Sequence, residues 1–113
     1  MNRGDVVLVD WPFSDLTGTK LRPAIVVQAD YLNAVIDDTI YVKVTGHRFG
    51  IPDTEVEIDP AVESLSGLLK ISYAACKDLL TRDQALVHHV LGVLSDPAMR
   101  QIDDCLKEIL ELP

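Results

Sequence analysis

Apolar and polar residues alternate with the two-residue period of β-strands over much of the chain. Short β-branched runs occupy residues 5–10, 24–29 and 39–45, and residues 54–58 alternate strictly. Runs of this length are too short for core helices and are rich in strand-forming residues. The pattern therefore predicts four strands in the first half of the chain, with Arg22 at the mouth of the second strand.

Two shorter features separate these strands. Residues 14–21 contain Thr17-Gly18-Thr19-Lys20, a turn-rich sequence that predicts a mobile surface loop. Asp30 is a good N-cap residue and predicts a brief helical turn over residues 31–35.

The pattern of apolar residues changes from strand spacing to helical spacing in the second half of the chain. Residues 67–81 are long and apolar with single polar residues, which fits either one bent strand or two consecutive strands. Residues 87–94 predict a strand, with a helix as the alternative. From the N-cap residue Ser95 onward, apolar residues recur at helical spacing, at Met99, Ile102, Leu106, Ile109 and Leu110. Successive strands followed by one helix predict a mostly β (α+β) fold, a small barrel-like sheet with a C-terminal amphipathic helix.

Length and composition fit one ordinary globular unit. The 113 residues, 48% of them hydrophobic, predict a single domain over residues 1–113. The start of the sequence does not have the pattern of a signal peptide, and no apolar run approaches the roughly 20 residues that a membrane span needs. We therefore expect a cytoplasmic protein with no membrane partner. Cys76 and Cys105 are expected to be small buried hydrophobic residues rather than a disulfide or a metal pair.

Net charge argues against a nucleic-acid partner, but its distribution does not. The formal charge of -8 is opposite to the basic excess that phosphate binding usually requires. Three windows, residues 16–29, 39–52 and 64–77, contain no acidic residue, and each holds two basic ones. Composition alone leaves the question open.

Motifs for bound nucleotides and metals are missing from the sequence. It has no P-loop, no dinucleotide-binding glycine pattern and no His/Cys spacing typical of zinc. We therefore expect no cofactor and no metal. This leaves chemistry that side chains perform alone, of which attack of an RNA 2′-hydroxyl on its own phosphodiester is the simplest.

Seven short segments together resemble the PemK/MazF toxins of type II toxin–antitoxin systems. They are Arg3-Gly4-Asp5-Val6-Val7, Leu21-Arg22-Pro23-Ala24-Ile25-Val26-Val27, Tyr41 to Thr45, Glu55-Val56-Glu57-Ile58-Asp59, Gly67-Leu68, Ser72-Tyr73 and Leu94-Ser95-Asp96. Their order and spacing follow the family over nearly the whole chain.

The resemblance implies a fold, an activity and partners. It implies an SH3-like barrel that forms a homodimer and cuts single-stranded RNA, such as mRNA, at short sequence motifs without metal. It also implies a cognate antitoxin peptide. Because this chain is acidic, we expect that peptide to dock through apolar side chains and locally basic segments. The family's catalytic arginine falls on Arg22, and its phosphate-contacting threonine falls on Thr45.

Further RNA contacts are expected from basic residues in the windows that lack acids. They are Lys20, Lys43, His47, Arg48 and Lys77. A solvated loop histidine is the alternative interpretation of His47. Trp11 and Phe13 either stack on a base or anchor the loop after the first strand.

One departure from the family concerns the general base. Many relatives carry a carboxylate in the middle of the fifth strand, where this chain has Ala75, Cys76 and Lys77. Asp78 follows as a possible alternative base, but strand alternation predicts that its side chain faces away from the site unless the strand bulges. Two hypotheses follow: an active endoribonuclease, or a non-catalytic SH3-like module that binds antitoxin or RNA without turnover.

Overall fold

The computed structural model describes residues 1–113, and six strands and one long helix dominate it. The elements are β1 Asp5–Pro12, β2 Thr19–Val26, α1 Asp30–Asn33, β3 Asp38–Thr45, β4 Glu55–Ile58, β5 Ser72–Asp83, β6 His89–Val93 and α2 Asp96–Ile109. A 3₁₀ turn, Gln84–Leu86, joins β5 to β6. The strands form one curled antiparallel sheet in the order β4-β5-β3-β2-β1-β6. The prediction of a mostly β fold with a C-terminal amphipathic helix is confirmed, and none of the helices is both long and apolar enough to cross a membrane.

The two faces of the sheet are buried differently. One face carries the larger core, in which Ile25, Val42 and Val44 pack with Ile102 of α2. The other face carries a smaller cluster: Val7, Val9, Trp11, Ala24, Val26 and Tyr41. We call the second face the site face, because Arg22 and Lys43 lie on it beside this cluster.

The helices begin differently from each other. The Ser95 hydroxyl accepts a hydrogen bond from Ala98 N at 3.3 Å, so the predicted cap of α2 is confirmed. The predicted Asp30 cap is wrong, since the N-cap of α1 is Ala29 and no side chain caps it. The Asp30 carboxylate instead accepts a hydrogen bond from Arg3 N at 2.6 Å and joins α1 to the N-terminal segment.

Strand β2 begins at Thr19 rather than at the predicted Ala24. Its first half pairs with β1, with Arg22 opposite Val9 and Thr19 opposite Pro12. The predicted position of Arg22 at the mouth of the strand is therefore wrong, because pairing with β1 extends the strand through polar residues that the apolar pattern does not include. Arg22 lies inside a paired strand.

The apolar residues 67–94 form one long strand and one short strand. Residues 72–83 are the single irregular strand β5, and the strand alternative for residues 87–94 is the correct one. Cys76 on β5 and Cys105 on α2 are both buried and unpaired, as expected.

Candidate active site

Arg22 lies at a cavity of about 440 Å³ between β2, β3, β5 and the segment that follows β1. Val9 is its register partner, and Lys43 on β3 lies opposite Ala24, two residues along β2. Since directly opposed residues share a face, Arg22 and Lys43 both lie on the site face. The half-buried Arg22 guanidinium makes no hydrogen bond or ion pair within the chain. Its fixed donors are therefore available to an anion.

A bulge in β5 brings Asp78 into the same cavity. Val42 pairs with Leu79 but the adjacent Lys43 pairs with Ala75, so three β5 residues, 76–78, have no partner on β3. Strict alternation would place Ala75 and Asp78 on opposite faces. The extra residues change the phase, and Asp78 lines the cavity together with Arg22. Strand alternation alone predicted that Asp78 faces away from the site unless the strand bulges, and the structure has this bulge.

Two lysines hold the Asp78 carboxylate. Its Oδ2 atom lies 3.2 Å from Lys43 Nζ and 3.0 Å from Lys77 Nζ. Burial raises the pKa of Asp78, but the hydrogen bonds and charges of Lys77 and Lys43 lower it by more, so its pKa lies below the usual value. At neutral pH the Asp78 carboxylate is therefore ionised, beside the two cations of the cavity, Arg22 and Lys43, and in contact with Lys77.

Thr45 is the last residue of β3 and lies beyond Lys43 on the same strand. It lies two residues beyond Lys43 and therefore on the same face, opposite Tyr73 of β5. Its hydroxyl accepts a hydrogen bond from His47 N at 3.3 Å, and its own proton is free to donate. Thr45 does not line the cavity of Arg22. The two residues proposed by resemblance thus share a face but not a cavity.

The loop after β3 carries His47 and Arg48 and is attached to the sheet by Glu55. Glu55 Oε2 accepts hydrogen bonds from Phe49 N and Gly50 N, at 2.9 and 3.3 Å. Arg48 Nε lies 3.7 Å from Glu55 Oε1, while the exposed His47 side chain has no partner. These two expected RNA contacts lie beyond Thr45, away from Arg22.

The remaining expected contacts lie near the bulge or along β2. Lys77 Nζ lies 4.4 Å from the centroid of the Phe49 ring, a cation–π distance that connects the loop after β3 to the bulge. Lys20 is exposed and lies two residues from Arg22, opposite Trp11. Trp11 itself is buried in the smaller cluster, so it anchors the sheet, whereas Phe13 is exposed beside the cavity.

Sequence reasoning missed two acidic residues and one tyrosine on the site face. Glu55 and Glu57 lie opposite Ala75 and Tyr73, so the face is negative beyond Thr45. The alternation of residues 54–58 already indicated this position, because it places both glutamates on one face of the strand and the buried Val56 and Ile58 on the other face. Tyr41 lies two residues before Lys43 and lines a second cavity.

A family model independently matches this chain. The model of PemK-like, MazF-like toxins of type II toxin–antitoxin systems matches residues 2–110. The chain belongs to this family. The resemblance carried by the seven sequence segments is thereby confirmed.

Solved structures of MazF-like proteins share the fold. An endoribonuclease from a mycobacterial species, solved in complex with its cognate antitoxin, has 23% sequence identity and a TM-score of 0.82, over 100% of this chain and 97% of the other. The Mycobacterium tuberculosis toxin MazF-mt6 has 18% identity and a TM-score of 0.75, over 95% of this chain and 98% of the other. A MazE-MazF structure from Deinococcus radiodurans has 18% identity and a TM-score of 0.77, over 100% and 98%. At these identities the MazF-like fold is shared across the full length of the chain.

Proposed function

We propose that this MazF-like chain is the toxin of a toxin–antitoxin pair and a metal-independent endoribonuclease that cleaves single-stranded RNA, such as mRNA, at short sequence motifs. The observation that carries the proposal is the unpaired Arg22 guanidinium in a cavity that also holds Lys43 and the Asp78 carboxylate. The RNA supplies its own nucleophile, the 2′-hydroxyl. The protein must therefore provide charge stabilisation, orientation and proton transfer.

Arg22 is the proposed transition-state residue. When the 2′-oxygen attacks phosphorus, negative charge accumulates on the non-bridging phosphate oxygens. A planar guanidinium donates to two of these oxygens at once and stays protonated at any physiological pH. Lys43 adds positive charge at the same cavity, and Thr45 orients the phosphate by donating its hydroxyl proton.

Asp78 is the proposed acceptor of the 2′-hydroxyl proton. Asp15 and Asp78 both line the cavity of Arg22, but Asp15 is exposed and accepts hydrogen bonds from Thr17. Asp78 is half-buried and is held by Lys43 and Lys77, and its pKa below the ordinary value leaves it ionised at neutral pH.

The O–H bond of the 2′-hydroxyl breaks as the 2′-oxygen bonds to phosphorus, and its proton passes to Asp78. The bond from phosphorus to the 5′-oxygen breaks, the leaving oxygen takes a proton from water, and Asp78 returns its own proton to water. The products are a 2′,3′-cyclic phosphate and a free 5′-hydroxyl. A carboxylate in the cavity favours this enzyme over a non-catalytic SH3-like module, whose premise was the loss of that group.

The partners follow from the family and the charge. The mycobacterial endoribonuclease was solved with its cognate antitoxin, and we propose an antitoxin peptide for this chain also. With a net charge of -8, the toxin should be recognised through apolar side chains and basic segments of that peptide. Both proteins would act in the cytoplasm, where mRNA is available.

Incubation of the purified chain with a long RNA in excess EDTA tests the proposal. We expect discrete fragments whose upstream ends carry a 2′,3′-cyclic phosphate and whose downstream ends are accepted by polynucleotide kinase without prior phosphatase treatment. Arg22→Ala protein, prepared identically, controls for contaminating ribonuclease. RNA that stays intact with folded wild-type protein would contradict the proposed activity.

A further inference from the structure

A second cavity of about 210 Å³ lies next to that of Arg22 on the site face. It is formed by strands β1, β2, β3 and β5 and by the 3₁₀ turn after β5. Its walls are Val9, Asp10, Pro12, Thr19, Tyr41, Arg82, Asp83 and Leu86. Pro12 belongs to both cavities, and Val9 is the register partner of Arg22. The two cavities are therefore close enough for neighbouring groups of one polymer to occupy both.

The Tyr41 hydroxyl is the unusual group of this cavity. Tyr41 is 1% exposed, and its hydroxyl oxygen is buried without a hydrogen-bond partner. Buried tyrosine hydroxyls are normally paired, because an unpaired one loses its bonds to water without replacement. A free buried donor in the wall of a cavity is typical of a site that is completed by a ligand.

The charge of the cavity indicates which part of an RNA it accepts. Burial and, to a smaller extent, the nearby Asp83 and Asp38 carboxylates raise the pKa of Tyr41 to about 12, so the hydroxyl is a neutral donor. Two carboxylates, Asp10 and Asp83, outnumber the single cation Arg82 in the walls. A phosphate is therefore less favoured here than in the cavity of Arg22 and Lys43, where two cations match the two carboxylates Asp15 and Asp78.

We infer that this cavity is a base-recognition pocket that takes one unpaired nucleobase of the RNA, next to the phosphate held at Arg22. The apolar Val9, Pro12 and Leu86 suit the flat faces of a base, and the polar groups suit its edge. Tyr41 donates to a ring nitrogen or carbonyl oxygen. Asp83 accepts from an N–H of the base through Oδ2, since its Oδ1 already accepts from Ala85 N. The inference rests on the proposed function, because it assigns part of the sequence selectivity of that reaction to Tyr41.

Cleavage of a randomised RNA by wild-type, Tyr41→Phe and Asp83→Asn proteins tests the pocket. Sequencing the fragment ends gives the base preference at every position around the cut. We expect Tyr41→Phe to reduce the base preference at one position roughly tenfold, which is the effect of losing one hydrogen bond. Asp83→Asn should change the preference at the same position. Tyr31→Phe, an exposed tyrosine on α1, should cleave like the wild type.

Thermal unfolding separates recognition from a structural role. The Tyr41 hydroxyl has no partner to lose, so the Tm of Tyr41→Phe should equal or exceed that of the wild type. A lower Tm with an unchanged base preference would show that the hydroxyl is structural and would overturn the inference. An unchanged preference at an unchanged Tm would overturn it also.

Nucleotide binding tests the pocket without cleavage. We expect one of the four ribonucleoside 5′-monophosphates to shift the amide resonances of Thr19 and Leu86 in wild-type protein, and to shift them less in Tyr41→Phe. If none does, the pocket is not a base site even where RNA is cut. If one does while wild-type protein cuts no RNA, the proposed nuclease activity fails and the base site stands.

Discussion

At the scale of single residues, Arg22 is distinguished by shape as well as by charge. A lysine at this position would keep the positive charge but would contact one phosphate oxygen at a time. We predict that Arg22→Lys lowers the single-turnover cleavage rate by about a hundredfold, the usual effect of losing one transition-state donor. Arg100→Lys, on the exposed surface of α2, should cleave at the wild-type rate. Wild-type cleavage by a folded Arg22→Lys protein would exclude Arg22 as the transition-state residue.

Asp78 makes a second prediction, concerning pH. A carboxylate with a lowered pKa is ionised above its ordinary value of 3.8 and loses its charge only below it. The cleavage rate should therefore be flat on the acidic side from pH 7 down to about pH 5. An acid limb near pH 6.5 would instead indicate a histidine as the proton acceptor.

Asp78→Asn should lower the rate by roughly a hundredfold at every pH in this range, since the amide accepts no proton. Asp104→Asn on the exposed side of α2 is the matched control. A wild-type rate for Asp78→Asn would leave the bulge as a purely structural feature.

At the scale of elements, the spacing of apolar residues along the sequence predicted the strands and the helix whose pattern is local. β1, β3, β4 and α2 were predicted within a few residues, since their apolar positions repeat regularly. The start of β2 was not predicted, and a bulge in β5 was only one of the alternatives that the sequence left open. Both depend on pairing with strands distant in sequence, which decides the register and which residues stay unpaired.

The same limit applied to the site. Arg22 and Thr45 were proposed as site residues through the family's motifs, which are local in sequence. The contact of Asp78 with Lys43 was not found, because it depends on the phase change between Ala75 and Asp78. Tyr41 was assigned to a strand, but its unpaired hydroxyl depends on the groups that three other strands and the 3₁₀ turn place around it.

The start of α2 gives a prediction on stability. The Ser95 hydroxyl caps the helix through Ala98 N and also donates to Glu63 Oε2 at 2.8 Å. We predict that Ser95→Ala lowers the free energy of unfolding by about 1 kcal/mol, the usual cost of losing an N-cap. Urea denaturation should show a lower midpoint at an unchanged m-value. Ser64→Ala, an exposed serine without a side-chain hydrogen bond, should leave the midpoint unchanged, and equal midpoints for both variants would contradict the role of the cap.

At the scale of the whole molecule, basic residues are concentrated near the cavity of Arg22 although the chain as a whole is acidic. The chain carries -8 overall, yet Lys20, Arg22, Lys43 and Lys77 lie together on or beside the site face. In the proposed function, these four basic residues bind the substrate, whereas the net negative charge of the protein repels RNA at long range. We predict that the net negative charge keeps non-specific RNA binding weak, which fits the proposed cleavage at selected sequences.

The exposed apolar residues of the whole molecule predict a homodimer. Leu65, Leu69 and Ile71, in the segment before β5, are all exposed, and the Leu69 side chain is 99% exposed. A monomer rarely leaves such a group of large apolar side chains in water, and a second copy of the chain would cover it. Light scattering at micromolar concentration should therefore give twice the 12.5 kDa of one chain.

A charged residue in that segment should separate assembly from folding. Leu69 contributes almost nothing to the core of one chain, so Leu69→Asp should leave the Tm of the isolated chain nearly unchanged while it shifts the dimer toward monomer. Val35→Asp, at an exposed apolar residue between α1 and β3, is the matched control and should remain dimeric. A wild-type mass of 12.5 kDa would contradict the dimer itself, and a dimeric Leu69→Asp protein would place its interface elsewhere on the surface.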